Sequence, residues 1–424
     1  MRILFSIFAA ALAALFALPA SAQVTVIHAG SVIADADSQP TGPATITVVD
    51  GRIVSIMEGH QTPTGQVRVI ELTDKTVLPG LIDLHVHLTG DPGGDFWRGA
   101  TEPVEWDVVI GAKNALVTAK AGFTTVREAG SSGQSAFALR RGTAQGTIPG
   151  PRIVAAGPAL AIIGGHGDVN GFRPEVNEVL DSGFTCTGPV ECAAKVRLAS
   201  QNGSDVIKIT ATGGVLSQQG RGLEAHFSDA EMRAIVETAN KLGLKVMAHA
   251  HGARGIEAAA RAGIATIEHG TYLDEAAARA MRENGTVLVP TLMAFKGVTE
   301  RLGQGVYTPV VENKIEQVSA QAQVFMRDAK RWNVPIAFGT DAGVFDHGRN
   351  AEEFALMRSQ GMSDREAFAS ATSVAARVLG MEGEIGRIAE GFSADIIAVD
   401  GNPLEDVSVL EDVDFVMVRG RVIE

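Results

Sequence analysis

The feature that most restricts the fold of this chain is a regular alternation of short apolar segments with alanine-rich segments of helical pattern. Eight apolar segments have the length and composition of strands, and most precede a helical stretch such as Ser228–Leu242, Ala253–Ala262 or Glu275–Glu283. Ser228 with Glu231 forms a capping box at the start of the first of these helices. The strand candidates are Val77–His87, Thr124–Glu128, Arg152–Ala156, Asp205–Thr210, Lys245–His249, Thr266–His269, Thr286–Thr291 and Pro335–Thr340. Eight such units predict an α/β fold, the (β/α)8 TIM barrel, whose reacting groups lie at the carboxyl ends of the strands.

The two ends of the chain have a different pattern. Residues 24–70 contain short alternating strands, with a hairpin predicted at Asp50-Gly51. Ala394–Val399 and Phe415–Ile423 return to the strand pattern near the C-terminus.

Residues 1–22 have the features of an export signal. Arg2 precedes an apolar stretch, Ile3–Leu18, and Ala20-Ser21-Ala22 forms a cleavage pattern of small residues. The alternative is a membrane anchor, for which the apolar run is short. We expect cleavage after Ala22 and a periplasmic or secreted mature protein that has no membrane contact, since no other segment is long and apolar enough to span a bilayer.

Charge and cysteine content narrow the partners and the environment. A net charge of −13 argues against nucleic acid or an anionic membrane as partner, which leaves a small-molecule or peptide substrate. Cys186 and Cys192 are the only cysteines and flank a turn-like stretch. In an exported protein this spacing suits a local disulfide, and two free thiols remain the alternative.

Histidines, one lysine and one aspartate lie at or near the ends of the predicted strands. His85 and His87 are two residues apart in a strand and therefore project to the same side. Lys208 lies inside a parallel strand, where burial would lower its pKa; a neutral amine can add carbon dioxide to form a metal-bridging carbamate. The alternative is a lysine that reaches solvent at a strand edge. His249 and His269 end two further strands and Asp341 follows the last, so the set predicts a metal site.

The order of these six residues resembles that of the amidohydrolase superfamily over almost the whole mature chain, and Gly386–Val399 matches as well. Within the superfamily the chain is most similar to the prolidase-like metallocarboxypeptidases and ochratoxinase. The supporting segments are Gly122–Arg127, Gly164–Gly167, His249–Gly252 and His347–Glu352. Glu128 stands where relatives often carry aspartate.

The resemblance implies a barrel over residues 80–380 and a small β-sandwich domain built from residues 23–79 plus 381–424, in a homo-oligomer. It also implies two divalent metal ions, with zinc expected. His85, His87 and Asp341 would hold one ion, His249 and His269 the other, and carbamylated Lys208 would bridge them. Asp341 would also carry the proton from water to the departing nitrogen.

Further residues are candidates for contact with the substrate. His251 shares the strand face of His249 and could bind the carbonyl or its oxyanion. His166 and Tyr272 could bind a substrate carboxylate. Arg127 could contact substrate or pair with an acid, and His347 could contact substrate or shape its loop. Other groups are expected to be structural or solvated, namely Glu268, which should point away from His269, and His28, His60 and His226.

The sequence thus predicts an exported binuclear amidohydrolase that releases a C-terminal amino acid from a dipeptide, an N-acyl amino acid or an ochratoxin-like amide. One alternative is the same metal site acting on lactones, esters or cyclic amides. Another is a metal-binding or solute-binding protein without catalysis.

Overall fold

The computed structural model describes residues 24–93, 96–220 and 222–424, so the predicted export signal lies outside the described residues. Within these ranges, no helix combines the length and apolar character needed to cross a membrane. The strands are β1 (Val24–Val32), β2 (Ala44–Val49), β3 (Arg52–Glu58), β4 (Arg68–Pro79), β5 (Leu81–Val86), β6 (Phe123–Glu128), β7 (Arg152–Ala155), β8 (Val206–Thr210), β9 (Lys245–Ala250), β10 (Thr266–His269), β11 (Val287–Val289), β12 (Ile396–Val399), β13 (Val413–Val418) and β14 (Arg421–Val422).

Most of the helices follow the strands of the middle of the chain. Ser228 caps α5 through the predicted capping box with Glu231. The helices are α1 (Trp106–Lys120), α2 (Ser135–Gln145), α3 (Pro174–Leu180), α4 (Gly188–Asn202), α5 (Asp229–Lys241), α6 (Ala253–Arg261), α7 (Glu275–Asn284), α8 (Leu292–Glu300), α9 (Pro309–Ala322), α10 (Phe325–Arg331), α11 (Glu352–Ser359), α12 (Asp364–Ser370) and α13 (Ser373–Leu379), with short 3-10 helices at Phe96–Ala100 and Val407–Glu411.

Strands from both chain ends pair in one seven-stranded sheet, in the order β14-β13-β12-β4-β1-β2-β3. The predicted hairpin joins β2 to β3, and both turn residues have left-handed backbones, Asp50 at φ 48° and Gly51 at φ 79°. The joining of the two ends is as expected, while the second layer of a sandwich stays a prediction.

The predicted strand Val77–His87 is wrong as a single element. Val77 belongs to β4, which pairs with β1 and β12, whereas β5 begins at Leu81 and pairs with β6. The change of sheet occurs at Gly80, where an added Cβ would lie 2.1 Å from Thr124 Oγ1. One continuous apolar segment of the sequence thus contributes strands to two sheets, and its hydrophobic periodicity alone does not show the division.

The strands of the middle of the chain pair in parallel, as β5-β6-β7 and as β8-β9-β10-β11. An isolated bridge between Leu160 and Ile209 connects the segment after β7 to β8. Ile336 bridges to Leu288 of β11, and Ala342 bridges to Val86 of β5. The parallel pairings therefore follow one another in a cyclic order, with the predicted strand ends on a common side.

The predicted eighth strand, Pro335–Thr340, is an extended segment without a regular ladder. Its amides find partners on several elements: Phe338 N donates to Ser370 O, and Thr340 N donates to the buried Asp83 carboxylate at 3.1 Å. The segment still bonds to both neighbouring strands, since Ala337 N donates to Leu288 O of β11 and Leu84 N of β5 donates to Phe338 O. It therefore lies where the eighth strand was predicted, but the prediction of a regular strand with a continuous ladder is wrong.

Cys186 and Cys192 form a disulfide with a Cα–Cα distance of 5.1 Å. The bond joins the residue two positions before α4 to the first turns of that helix, and both sulfurs are in the core. Of the two states left open by the sequence, the structure therefore contains the bridge.

Candidate metal centre

Two groups of donor atoms, buried apart from the half-buried His87, lie at the carboxyl ends of the parallel strands. His85, His87 and Asp341 form one group, in which the ligand atoms lie within 4.8 Å of one another. The other group consists of His249, His269 and His251 under the same limit. The structure thus brings together the predicted ligands of each ion, and it adds His251 to the second group.

The first group converges on one carboxylate oxygen. Asp341 Oδ1 lies 3.4 Å from His85 Nε2 and 3.3 Å from His87 Nε2. This oxygen is buried and forms no hydrogen bond to any described residue. Because an unpaired buried carboxylate oxygen is costly, and because nitrogen and carboxylate oxygen are ligands of zinc-like ions, the donor set fits a divalent cation.

Each imidazole of the first group is held through its other nitrogen. His87 Nδ1 lies 2.9 Å from Gly130 O, which assigns the proton to Nδ1 and leaves the Nε2 lone pair free. His85 Nδ1 lies 2.9 Å from Glu268 Oε2. Such partners orient histidine ligands and raise their basicity.

Glu268 has a larger role than the sequence indicated. It is fully buried, and its second oxygen accepts hydrogen bonds from Arg127 Nη2 at 2.9 Å and from Thr266. Its other oxygen, Oε2, contacts a proposed ligand of the first group, His85, so Glu268 supports the site directly. The available sequence signal was a charged residue inside a predicted parallel strand, the argument that singled out Lys208.

The second group is held by hydroxyl groups. His269 Nδ1 lies 2.7 Å from Thr291 Oγ1, and His251 Nδ1 lies 2.7 Å from Thr271 Oγ1. His249 Nε2 lies 3.1 Å from Gly213 O. Burial, reinforced by neighbouring histidines, holds the pKa of His249 and of His269 well below its ordinary value. Both rings are therefore neutral at pH 7, the form that binds metals.

Lys208 is buried, and its Nζ lies 3.5 Å from His85 Nε2 in the wall of the same cavity. Burial lowers the pKa of Lys208, against the opposing effect of Glu268 and Asp341. A lowered pKa favours the neutral amine that carbamylation requires, and the bridging carbamate stays a prediction.

Non-glycine residues with left-handed backbone mark the rim of the site. The φ angles are 74° at His269, 49° at Thr291 and 65° at Asp341. Such conformations carry a free-energy cost and concentrate where side chains must be aimed for function.

The donor groups open into a cavity of 310 Å³. His166 lines it, with Nδ1 2.6 Å from Ser217 Oγ and a ring centroid 4.2 Å from that of His249. The apolar side chains that line the cavity include Val215, Leu216, Ala294, Phe295, Val298 and Val344.

Three further candidates for substrate contact are not among the described residues that line this cavity. Arg127 donates hydrogen bonds to Leu84 O and to Glu268, which matches the alternative that it pairs with an acid. Tyr272 donates its hydroxyl to Gln317 O at 3.2 Å. His347 Nε2 lies 3.2 Å from His87 O, which matches the loop-shaping alternative.

Glu128, the departure from the family pattern, is buried behind His87. Its Oε2 accepts a hydrogen bond from Leu88 N at 2.6 Å, and its Oε1 lies 4.0 Å from His87 Nδ1. Burial raises the pKa of Glu128 to about 7. Its side chain therefore supports the segment that carries a proposed ligand.

The sequence and the fold both have close counterparts. Ochratoxinase from Aspergillus niger is 32% identical over 416 residues, which cover 92% of this chain and 84% of the relative. A crystal structure of a Xaa-Pro dipeptidase with bound methionine is 40% identical, with a TM-score of 0.87 over 94% of this chain and 99% of that one. A prolidase complexed with N-methylphosphonate-L-proline is 31% identical, with a TM-score of 0.85 over 94% and 99%.

The family assignment follows from these likenesses together with a family-level match. The sequence model of the amidohydrolase family matches residues 76–423, which include all six predicted metal ligands. This chain belongs to the amidohydrolase family.

Proposed function

We propose that this protein is an exported, binuclear metal-dependent amidohydrolase that releases a C-terminal amino acid from an amide. The observation that carries the proposal is the convergence of two histidine Nε2 atoms on Asp341 Oδ1, which is buried without a hydrogen bond to any described residue. The similar ochratoxinase and Xaa-Pro dipeptidase support an amide as the bond that is cleaved.

Each of two ions has its own residues in this proposal. His85, His87 and Asp341 would hold one ion, His249 and His269 would hold the other, and Lys208, when carbamylated, would supply a ligand to both. Divalent ions in such a site lower the pKa of water and polarise a carbonyl group, which makes hydrolysis feasible at neutral pH. We interpret the cyclic order of parallel strands as the closed barrel that keeps these residues in place.

The protein groups divide the remaining work. Asp341 accepts the proton of the attacking water and returns it to the departing nitrogen, because a carboxylate at this position can serve both as base and as acid. His251, held through Nδ1 by Thr271, offers Nε2 to the carbonyl oxygen. His166, held through Nδ1 by Ser217 and packed against the ring of His249, offers Nε2 to the substrate.

A substrate panel tests the proposal. N-acyl-phenylalanines and Xaa-Pro dipeptides should be hydrolysed, and chelation should abolish the reaction. Blocking the C-terminal carboxylate as a carboxamide should remove most activity. Equal rates on the acid and its amide would contradict release of a free C-terminal amino acid, and activity only on lactones or cyclic amides would contradict the choice of bond.

A further inference from the structure

A second cavity, of 340 Å³, adjoins the metal cavity. Both cavities include His166 and Leu216 in their walls, so these two residues stand at the junction. The second cavity is lined further by Phe96, Phe172 and Leu180. A group that enters it therefore lies beside the reacting centre and not at an unrelated place on the surface.

One wall of the second cavity is aromatic and closely fitted. The ring centroids of Phe96 and Phe172 lie 5.3 Å apart at an interplanar angle of 54°. Gly171 has φ 93°, and a Cβ added there would lie 2.9 Å from Phe96 Cε2. The ring of Phe96 thus occupies space that only a glycine at position 171 leaves open.

Several polar groups of the second cavity are already bonded within the protein. Asp168 accepts from Gly164 N at 2.7 Å and from Val169 N at 2.8 Å. Gln218 Oε1 accepts from Thr308 at 2.9 Å. None of the described residues that line the cavity is a lysine or an arginine. The aromatic wall of the cavity therefore suits an apolar group, and Asp168 disfavours a carboxylate.

The segment between the two cavities, residues 214–219, is held in place by hydrogen bonds from one lysine. Lys314 Nζ donates to Gly214 O at 2.9 Å, to Ser217 O at 2.6 Å and to Gln219 O at 3.2 Å. Ser217 in turn holds His166, as described above. The loop that carries Leu216 is thereby fixed on both sides of the junction.

We propose that the second cavity is the subsite for the acyl half of the substrate and that it selects a bulky apolar or aromatic acyl group. The inference rests on the proposed function, in which the other half carries a free carboxylate. We assign that half to the metal cavity, because Asp168 lines the second cavity and its negative charge disfavours a carboxylate there.

The test compares substrates that differ only in the acyl group. N-benzoyl-phenylalanine should have a higher kcat/KM than N-acetyl-phenylalanine on the wild-type protein. Phe172→Ala and Phe96→Ala should lower kcat/KM for the benzoyl substrate by about tenfold, because each removes apolar contact area. The same variants should change kcat/KM for the acetyl substrate by less than about twofold, because the small acetyl group does not contact these rings.

A binding measurement separates this subsite from catalysis. Ketomethylene analogues of the two substrates, in which CH2 replaces the amide nitrogen, resist hydrolysis, so calorimetry yields their Kd whether or not turnover occurs. Tighter binding of the benzoyl analogue that is lost in Phe172→Ala supports the subsite even if the proposed reaction fails. Trp97→Ala is the matched control, since Trp97 is half exposed, adjacent in sequence and not a lining residue.

Two results would overturn the inference. Equal losses for both acyl groups in the phenylalanine variants would assign these rings a structural role only. A preference that follows the released amino acid, with no dependence on the acyl group, would place the other half of the substrate in this cavity.

Discussion

The carboxylate of Glu268 lies 2.9 Å from Nδ1 of His85, and both side chains are buried. This contact fixes the ring so that Nε2 faces Asp341. Glu268→Gln should therefore weaken metal binding by about 10–100-fold, the usual effect of removing a carboxylate behind a histidine ligand. Competition with a chromogenic chelator measures the affinity, and Glu237→Gln on the exposed face of α5 is the control. Unchanged metal affinity would contradict the role.

Arg127 neutralises Glu268 from the side opposite His85. Arg127→Met should lower the free energy of unfolding by about 3–5 kcal/mol, because it leaves a buried carboxylate without its cation. Denaturant unfolding of the metal-free protein measures this value. Unchanged stability together with a raised KM would instead support the substrate-binding role considered from the sequence.

Asp341 should be needed for turnover beyond its role as a ligand. Burial alone would raise the pKa of Asp341, but its contacts with His85 and His87 lower it, so the group is ionised and able to accept a proton at neutral pH. Asp341→Asn should reduce kcat by at least about 100-fold, as expected for loss of a general base. Full activity in a variant that retains its metal would contradict this assignment.

Glu353 gives the fold a distinct dependence on pH. It is buried and accepts hydrogen bonds from Leu292 N and Met293 N at the start of α8, and burial raises its pKa from 4.5 to about 8. The folded protein thus binds more protons than the unfolded chain between these values, so its stability falls as pH rises through that window.

Glu353→Gln should flatten that fall. The free energy of unfolding of the variant minus that of wild type should increase by more than about 1 kcal/mol between pH 5 and pH 8.5. This lower bound corresponds to a pKa shift of about one unit. Denaturant titrations across this range measure it, with Glu237→Gln as the reference. Parallel curves for wild type and variant would show that Glu353 is already ionised at pH 5.

The disulfide should contribute measurably to stability. Cys186→Ala with Cys192→Ala should lower the free energy of unfolding by about 2 kcal/mol, the value expected for a short closed loop. Thermal unfolding of oxidised, reduced and double-variant protein measures it. Equal stability of the oxidised and reduced forms would contradict the expectation.

The strand-end residues were readable from the sequence because they combine a local pattern with an unusual residue type. His85 and His87 stand two apart at the end of an apolar run, and Lys208 interrupts another. The parallel pairings then place these side chains at one cavity.

The supporting contacts were not readable, because they join residues distant in sequence. Glu268 is 183 positions from His85, and Lys314 is 97 positions from Ser217. The division of Val77–His87 between two sheets depends on the close approach of Gly80 to Thr124, which no local periodicity encodes. The pattern of apolar residues thus predicts where strands and helices lie in the sequence. Long-range packing determines which polar side chains come into contact.

The most direct test of the account is the metal content of the purified protein, measured by mass spectrometry before and after chelation and after reloading with zinc and bicarbonate. The account predicts two divalent ions per chain, loss of amidase activity when they are removed and its return on reloading. A protein that binds no divalent ion under these conditions, or that hydrolyses its amide substrate equally well without one, would contradict the proposed metal centre.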